Sequence, residues 1–400
     1  MKRRPRDSNE PAVDNIVGRQ SPPGKLGLIF SGGGVRASYQ VGALRALGSF
    51  IESSESQINF ILGSSIGAIN GLILSACLKD GFPHSIEQLE NLWRKRNFRN
   101  TFDGSPSSAF LRAIKIAFLQ YMSPGPKGGS DSIFNPAPLI QELDQVLLAH
   151  GGLSPDARAH SLEAIAVMTT VEGTERKPLL FVSAHKKFDE SVFKGAAFEV
   201  CYVDELTSKH GFASAALPSV LPPVEIDTDK GRVRLVDGGI SNNVPVDPAV
   251  RMGADRVILF DISGRDWWLK RFGKKEDQRP DWEVPAGMET YCLRPPETFI
   301  VRCQEPLGPL LKSCVGQSRS KFISALGPVW PLFTLLKNKL GEDVAYETMS
   351  YVALDPDFIS AVIERGYNET TGLLRNKVTP EFEHPDTVEK FVGSILGKKA

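Results

Sequence analysis

The 400-residue chain lacks an excess of charge of either sign, because 47 Lys and Arg side chains balance 47 Asp and Glu side chains. Domains that bind nucleic acid are typically strongly basic, so we expect no nucleic-acid partner. Cysteine is scarce as well: there are five cysteines and no Cys-x-x-Cys pair. The sequence therefore predicts neither a disulfide framework nor a zinc ribbon, and it favours a reducing compartment.

The sequence also lacks an uninterrupted apolar run of the roughly 18 residues that a membrane-spanning helix needs. Its basic start, Met1–Arg6, is not followed by the apolar stretch of a secretory signal. This predicts a cytoplasmic protein that contacts a membrane only at the surface. Residues 1–24 mix charges with Pro22 and Pro23 and show no apolar periodicity, so we interpret them as a flexible tail.

Two strand–turn–helix units follow one another near the start of the chain. Leu26–Phe30 stops at three glycines and precedes helical spacing over residues 35–50, and Ile58–Leu62 precedes an apolar helix from Ile66 to about Leu78. Such units are typical of a parallel sheet with crossover helices. Further strands are predicted at Glu163–Thr170, Leu179–Ser183, Glu199–Val203, Val233–Val236 and Arg256–Ile262, and helices at Asp204–Leu217 and Pro245–Met252.

These patterns predict an α/β domain over residues 25–263. Within it, residues 99–135 are rich in Gly, Ser and Pro and are predicted to form a loop-rich insertion. The alternation of strands and helices ends after Ser263. We expect residues 264–400 to be a helical and irregular C-terminal extension that packs on the α/β domain or covers it.

Ser65 lies in Gly63-Ser64-Ser65-Ile66-Gly67, which matches the G-x-S-x-G pattern of a nucleophilic serine. The pattern needs both glycines, because bulkier residues would clash with the backbone of the sharp turn between strand and helix. Ser65 would then lie exposed at the positive end of the following helix. We predict that Ser65 is a nucleophile; the alternative is an ordinary Gly/Ser turn.

Gly32-Gly33-Gly34-Val35-Arg36 forms a second strand-to-helix turn. Consecutive glycines let several N–H groups face one concavity, which can hold a phosphate or an oxyanion, and Arg36 could add positive charge. The alternatives are a plain helix start and a dinucleotide fingerprint, since Gly32-x-Gly34-x-x-Ala37 fits G-x-G-x-x-[GA]. The fingerprint lacks its acidic residue after the second strand, and a P-loop would need a Gly-Lys-Ser/Thr that does not follow.

A nucleophilic serine needs a base. Asp237 follows a predicted strand and precedes two glycines, at the edge where open α/β sheets bind ligands. It is the preferred base, with Asp261 as the alternative acid. No histidine occupies a convincing strand-end motif, although His185 or His210 could complete a triad.

Together the motifs resemble those of the patatin-like phospholipases. Blocks in the order of that family are Ser31–Arg36, Gly63–Gly67, Ala213–Pro218, Asp237–Gly239, Asn242–Val246 and Gly253–Ile258. The resemblance covers roughly residues 25–263. It implies a three-layer fold with a mostly parallel central sheet flanked by helices. One departure is Ala37, which stands where glycine is usual, so the oxyanion turn is altered if that position needs a positive φ.

The resemblance implies a Ser–Asp dyad hydrolase that acts without histidine. Ser65 would be the nucleophile, Asp237 the general base, and Gly32, Gly33 and Gly34 with Arg36 the oxyanion site. The expected activity is that of a lipid acyl hydrolase of the phospholipase A or lysophospholipase type, working through an acyl-serine. Two alternatives stay open: an inactive interaction module of the same fold, and a nucleotide-binding protein that uses the glycine turn.

No cofactor or metal is expected. The segment Asp227–Gly231 looks like the opening of a calcium loop, but its twelfth position would be Gly238 rather than glutamate, so we interpret it as a hairpin turn.

A lipid substrate follows chiefly from the resemblance, and two segments add modest support. Residues 267–275 combine aromatic side chains with four cations. Residues 312–339 carry lysines and an arginine among aromatics and leucines, with no acid between Glu305 and Glu342. Both segments predict peripheral contact with an anionic membrane; the alternative is that they cover the core while their cations face water.

Overall fold

The structure of the protein is a computed structural model that describes residues 24–53, 57–104, 132–264, 267, 271 and 297–376. The predicted tail of residues 1–24 therefore lies, except for Gly24, outside the described residues. The same holds for most of the predicted insertion at 99–135 and for most of the segment 267–275.

Nine strands of the described residues form a single mixed sheet. The strands are β1 Leu26–Phe30, β2 Ile58–Ser64, β3 Ala164–Val171, β4 Pro178–Ala184, β5 Glu199–Tyr202, β6 Val224–Thr228, β7 Gly231–Val236, β8 Arg256–Asp261 and β9 Glu297–Arg302. Their order is β5-β4-β3-β2-β1-β8-β9, and β7 pairs with both β3 and β6. Neighbours are parallel except in the pairs β3–β4, β3–β7 and β6–β7.

The helices are α1 Ser38–Ser53, α2 Ile66–Cys77, α3 Phe82–Arg94, α4 Phe98–Thr101, α5 Ala137–Ala149, α6 Ser208–Ala215, α7 Val246–Arg251, α8 Gly308–Val315, α9 Arg319–Leu326, α10 Trp330–Leu340, α11 Glu342–Met349 and α12 Pro356–Asn376. Short 3-10 helices lie at Gly34–Ala37, Leu78–Asp80, Glu190–Phe193, Gly238–Ile240 and Gly327–Val329.

The central strands are buried on both faces, which is why they are continuously apolar. In β1, Leu28 and Phe30 pack into a core shared with α1, α2, α3 and α12, whereas Ile29 packs on the opposite face. That opposite face is covered by α7 through Val246 and Val250. The three-layer arrangement that the resemblance implied, with a mostly parallel sheet between helices, is confirmed.

The predicted hairpin turn at Asp227–Gly231 is confirmed, because β6 and β7 are antiparallel and Thr228 pairs with Gly231. Strand β9 differs from the expectation that the chain is irregular and helical after Ser263. It pairs in parallel with β8 and thereby continues the sheet. Its residues Thr298–Val301 are β-branched or aromatic, as strand residues commonly are, but one short strand set apart from its neighbours gives a weak pattern.

The last described helix packs directly on the first. A Cβ atom on Gly42 of α1 would lie 1.8 Å from the carbonyl oxygen of Ile363, and one on Gly366 of α12 would lie 2.2 Å from that of Tyr39. Glycine at both places therefore lets the two backbones approach closely. Among the residues described, no helix combines the length and the apolarity that crossing a membrane would require.

Candidate active site

Ser65 occupies a strained turn between β2 and α2. Its φ of 53° and ψ of −135° are unusual for a residue with a side chain. The glycines on either side have no room for a Cβ atom: at Gly63 it would lie 2.5 Å from the Ala68 backbone, and at Gly67 2.5 Å from the Phe30 carbonyl oxygen. The Ser65 N–H donates to Ser214 Oγ at 2.8 Å. These contacts fix the turn that the G-x-S-x-G pattern predicted.

Asp237 follows β7 and meets Ser65 across the edge of the sheet. Ser65 Oγ donates a hydrogen bond to Asp237 Oδ2 at 2.7 Å, although the two residues are 172 positions apart. The other carboxylate oxygen, Oδ1, accepts the N–H of Gly239 at 2.7 Å, and Thr170 Oγ1 donates to the Asp237 carbonyl oxygen at 2.8 Å. The carboxylate is thus held on both oxygens.

Burial raises the pKa of Asp237 to about 6, and the hydrogen bonds from Ser65 and Gly239 act in the opposite direction. Only 6% of the residue is exposed to solvent. A carboxylate with a raised pKa is a stronger proton acceptor than an ordinary one and is still mostly ionised at neutral pH. Asp237 has the protonation behaviour that a general base requires.

The other candidate bases lie elsewhere. His210 accepts the Thr207 N–H on Nδ1 at 3.1 Å, within a helix cap, and burial lowers its pKa to about 4. Burial likewise lowers the pKa of His185. Asp261 accepts a hydrogen bond from the Ser263 hydroxyl at 2.7 Å and one from Arg302 Nε at 3.0 Å. None of these three side chains is among the described residues that line the cavity at Ser65.

The glycine turn lies against Ser65, since a Cβ atom on Gly32 would come within 2.6 Å of Ser65 Cβ. The Gly32 N–H donates to Asn243 Oδ1 at 3.0 Å, and the Val35 N–H donates to the Tyr351 carbonyl oxygen at 2.8 Å. Between them, the N–H groups of Gly33 and Gly34 have no acceptor among the described residues. These two donors are therefore available to a ligand.

The structure corrects the expectation that Arg36 adds charge to this turn. Its guanidinium is buried and donates to Ser350 Oγ at 2.8 Å and to Glu347 Oε1 at 2.5 Å. It also lies over the Tyr351 ring, 3.6 Å from the centroid. The side chain lines a second cavity rather than the one at Ser65. There Glu347 supplies a carboxylate partner, which offsets the cost of burying the guanidinium charge.

Ala37 causes no strain in the turn. Its φ is negative, and the positive φ of this segment, 60°, belongs to Gly34. An alanine at position 37 is therefore compatible with the same turn geometry.

Ser65 and Asp237 open into a cavity of about 380 Å³ whose walls are largely apolar. Its lining includes Ile69, Trp93, Phe102, Leu139, Phe212, Leu221 and Leu354. Leu217 also lines the cavity and is 45% exposed, so the cavity reaches solvent at this residue. Cavities of a few hundred Å³ with apolar walls and a few polar groups are typical small-molecule sites, and these walls suit a hydrocarbon chain.

Sequence reasoning assigned no role to several residues of this site. Ser214 and Asn243 lie in the blocks that carry the family resemblance, so a signal for them was present. Tyr351 and Leu354 lie beyond residue 263, and no local pattern connects them to the glycine turn or to the cavity.

One group of metal-type side chains occurs among the residues that the structure describes. Ligand atoms of Asp80, His84 and His150 all lie within 4.8 Å of one another, and His150 Nδ1 is 2.7 Å from Asp80 Oδ2. Ser65 lies just before the start of α2, and Asp80 lies shortly after its end. Because α2 has 12 residues, it is about 18 Å long, and this length separates the two side chains. The group is separate from the serine site.

Comparisons with solved structures reveal remote similarity. VipD from Legionella pneumophila is 12% identical with a TM-score of 0.36, over 89% of this chain and 67% of that one. The type III effector ExoU of Pseudomonas aeruginosa is 13% identical with a TM-score of 0.35, over 95% of this chain and 60% of that one. Human GIVD cytosolic phospholipase A2 is 11% identical with a TM-score of 0.39, over 94% of this chain and 61% of that one. The chain thus spans 60 to 67% of the length of these three proteins.

Among curated proteins, no match was found. A family model described as patatin-like phospholipase matches residues 28–250. The match covers more than half of the chain and includes the glycine turn, Ser65 and Asp237. The chain therefore belongs to the patatin-like phospholipase family.

Proposed function

We propose that the protein is a serine hydrolase that cleaves fatty acyl esters of lipids, with the specificity of a phospholipase A or a lysophospholipase. The observation that carries the proposal is the 2.7 Å hydrogen bond from Ser65 Oγ to Asp237 Oδ2 at an apolar cavity. Membership of the patatin-like phospholipase family supports a lipid as the substrate.

In the proposed reaction Ser65 Oγ attacks the ester carbonyl carbon while Asp237 accepts the hydroxyl proton. The carbonyl oxygen becomes an oxyanion, which the N–H groups of Gly33 and Gly34 stabilise. Asp237 then returns the proton to the departing alkoxide, and the acyl group remains on Ser65. Water, deprotonated by Asp237, releases the fatty acid in a second step of the same kind.

The surroundings of Ser65 favour the negative charge that develops. Ser65 precedes the first residue of α2, where the helix dipole presents its positive end. The apolar walls keep water from competing for the donors of the glycine turn, and electrostatic interactions are stronger where water is excluded. The same walls would hold the acyl chain of the substrate.

The proposal is tested by incubating purified protein with a mixed phospholipid extract and measuring released fatty acids and lysolipids. Ser65→Ala is expected to abolish turnover and labelling by a fluorophosphonate, and Asp237→Asn to lower kcat by about 10²- to 10⁴-fold, because the general base is lost. A matched control is Ser75→Ala, which removes a buried hydroxyl on the same helix that donates to the Gly71 carbonyl oxygen at 2.7 Å. Wild-type turnover by either site variant would refute the dyad.

The same experiment separates the alternatives. An inactive interaction module would show neither turnover nor labelling of Ser65 in the wild-type chain. A nucleotide-binding protein would be thermally stabilised by ATP or NAD through Gly32–Gly34, and this stabilisation would persist in Ser65→Ala.

We further propose that α10 contacts the lipid surface. The cations of the segment 312–339 give only part of the support expected, because the fold pairs Lys312 and Lys337 with Glu342 at 2.8 and 2.7 Å and Lys321 with Asp357 at 2.5 Å. The apolar side gives more: Leu332, Leu335 and Leu340, here called the α10 leucines, are 44, 50 and 48% exposed. Exposed leucines beside lysines are typical of helices that lie on membranes.

The position of α10 agrees with this role. Gly327, just before α10, lies against Phe98 of α4, since a Cβ atom on it would come within 2.9 Å of that ring. Thr101 and Phe102, at the end of α4, line the cavity. The chain just before α10 is thus in contact with a helix whose end lines the cavity. Of the segment 267–275, only Trp267 and Arg271 are described, so it adds nothing further.

The membrane contact is tested with sedimentation of anionic vesicles. Leu332→Asp combined with Leu335→Asp is expected to reduce binding by about tenfold or more. Each leucine is about half exposed, so burial of both in the lipid surface contributes roughly what complete burial of one leucine does, about 1.5 to 3 kcal/mol. The control is Leu148→Asp on α5, a leucine that is 76% exposed. Equal binding by the double variant and this control would reject α10 as the contact.

A further inference from the structure

Residues beyond the part of the chain that the family model matches contact the glycine turn directly. The Val35 N–H donates to the Tyr351 carbonyl oxygen at 2.8 Å. Gly34 is so close to that oxygen that a Cβ atom on it would lie 2.1 Å away. The backbone after α11 is therefore packed against the turn that carries the free N–H groups of Gly33 and Gly34.

A buried ion pair joins the same two segments. The side chains of Arg36 and Glu347 are only 3% and 2% exposed. Arg36 Nη2 donates to both Glu347 Oε1 and the Glu347 carbonyl oxygen, while Glu347 Oε2 accepts the Gly308 N–H at 2.6 Å. Together with the donation from Arg36 Nε to Ser350 Oγ, these bonds give each of the two charged groups several partners, which offsets the cost of burying them.

We propose that Glu347 is a positioning residue, which acts through Arg36 to hold the N–H groups of Gly33 and Gly34 in place for the oxyanion. The inference rests on the proposed function. Its physical reason is that oxyanion donors accelerate a reaction only if they are oriented before it begins. A run of three glycines is too flexible to orient itself. The Arg36–Glu347 pair and the Tyr351 carbonyl supply the rigidity that the glycines lack.

Arg36 thereby has a different role from the one that its sequence position suggested. Its charge does not face the oxyanion. Arg36 instead joins the end of the turn to α11 through Glu347. It directly follows Val35, whose N–H donates to the Tyr351 carbonyl oxygen.

The proposal is tested with Glu347→Gln, which keeps the size of the side chain but leaves the guanidinium without a counter-charge. We expect kcat to fall by at least about tenfold while KM changes by less than about twofold, because the oxyanion donors act only in the transition state. We also expect faster hydrogen exchange of the Val35 amide, because its hydrogen bond to the Tyr351 carbonyl oxygen joins the turn to the backbone after α11. A variant with an unchanged kcat and unchanged exchange would overturn the proposal.

The matched control is Asp247→Asn, which breaks the ion pair between Asp247 and Arg251 on the other face of the sheet. That pair is similarly buried, with side chains 8% and 1% exposed and a distance of 2.9 Å. Its loss should lower stability without lowering kcat or changing exchange at Val35. If Asp247→Asn lowers kcat as much as Glu347→Gln does, the effect is general destabilisation and the proposal is wrong.

Arg36→Met combined with Glu347→Leu provides a second test if Glu347→Gln fails to fold, because replacing both charges with apolar groups leaves no buried charge unpaired. The double variant should fold and still have a lowered kcat and faster exchange; wild-type values of both would refute the positioning role. If the wild-type chain hydrolyses no ester, the proposed function falls, but the exchange measurement still decides whether Glu347 holds the turn.

Discussion

The proposed role of Asp237 as the base makes two demands that burial normally sets against each other. Asp237 must be shielded from water, so that its attraction for the Ser65 proton is strong, and it must stay ionised, so that it can accept that proton. Burial alone raises its pKa, and the hydrogen bonds from Ser65 and the Gly239 N–H limit the rise to a value of about 6. The two donors thus keep a buried carboxylate usable near neutral pH.

The pH dependence of activity follows from this pKa. We expect kcat/KM to rise with pH through an apparent midpoint near 6, because Asp237 must be deprotonated to act as the base. The folded-state pKa lies above the usual value of 3.8, so protonation of Asp237 favours the folded state between about pH 4 and 6. Activity lost in that range should therefore return on raising the pH, with circular dichroism unchanged. A midpoint near 4 would contradict the assignment.

The placement of residues in local sequence motifs could be predicted, and contacts with distant partners could not. Ser65 and Asp237 each stand beside glycines at the end of a strand, and that arrangement is visible in a few consecutive residues. The role of Arg36 depends on Glu347, 311 positions away. No local pattern around either residue indicates the other. The sequence therefore predicted that the Arg36 charge lies near the oxyanion, whereas in the fold it is paired with Glu347.

At the scale of elements, the contact between α1 and α12 depends on glycine. Gly42 and Gly366 lie where the two backbones approach, each facing a carbonyl oxygen of the other helix. In an isolated helix glycine is unfavourable by about 1 kcal/mol relative to alanine. Here the close approach outweighs that cost, because it lets the apolar side chains of both helices share one core.

Replacing either of two glycines of α12 with alanine should therefore change the free energy of unfolding, in opposite directions at the two positions. Gly366→Ala should lower the free energy of unfolding by about 1 to 3 kcal/mol, since a Cβ atom would meet the Tyr39 carbonyl oxygen at 2.2 Å. Gly372→Ala, where a Cβ atom meets no atom of the described residues within 4 Å, should raise it by roughly 0.5 to 1 kcal/mol through helix propensity. Urea denaturation measures both. If both substitutions stabilise the protein, the helices do not pack as closely as described.

Elements within the first 263 residues were largely predictable, because β1, β2 and α2 have apolar patterns that match their burial. β6 and β9 were missed. Each is a short strand whose place in the sheet depends on a pairing partner, β7 or β8, rather than on a long apolar run. The packing of α12 on α1 was not visible either, since glycine in a helix is not by itself a sign of contact.

At the scale of the whole molecule, residues 25–263 and the described C-terminal elements form one core. Strand β9 covers the edge of β8, α12 covers α1, and α11 anchors the glycine turn through Glu347. Ile359 and Ile363 of α12 belong to the same apolar cluster as Leu44 of α1 and Leu72 of α2. Residues 25–263 therefore contain Ser65 and Asp237 but leave one edge of the sheet and one face of α1 uncovered.

Ending the chain after residue 263 should consequently destroy the fold as well as the activity. The truncated protein would expose the edge of β8, which can pair with other chains, and the apolar face of α1. We expect it to aggregate in size-exclusion chromatography, to unfold without a cooperative transition in urea, and to release no fatty acid. Full-length Ser65→Ala is the control, because it should be equally inactive yet unfold cooperatively. A truncated chain with a cooperative transition and wild-type turnover would show that residues 25–263 are an independent domain, and that neither the α1–α12 contact nor the anchor at Glu347 is needed.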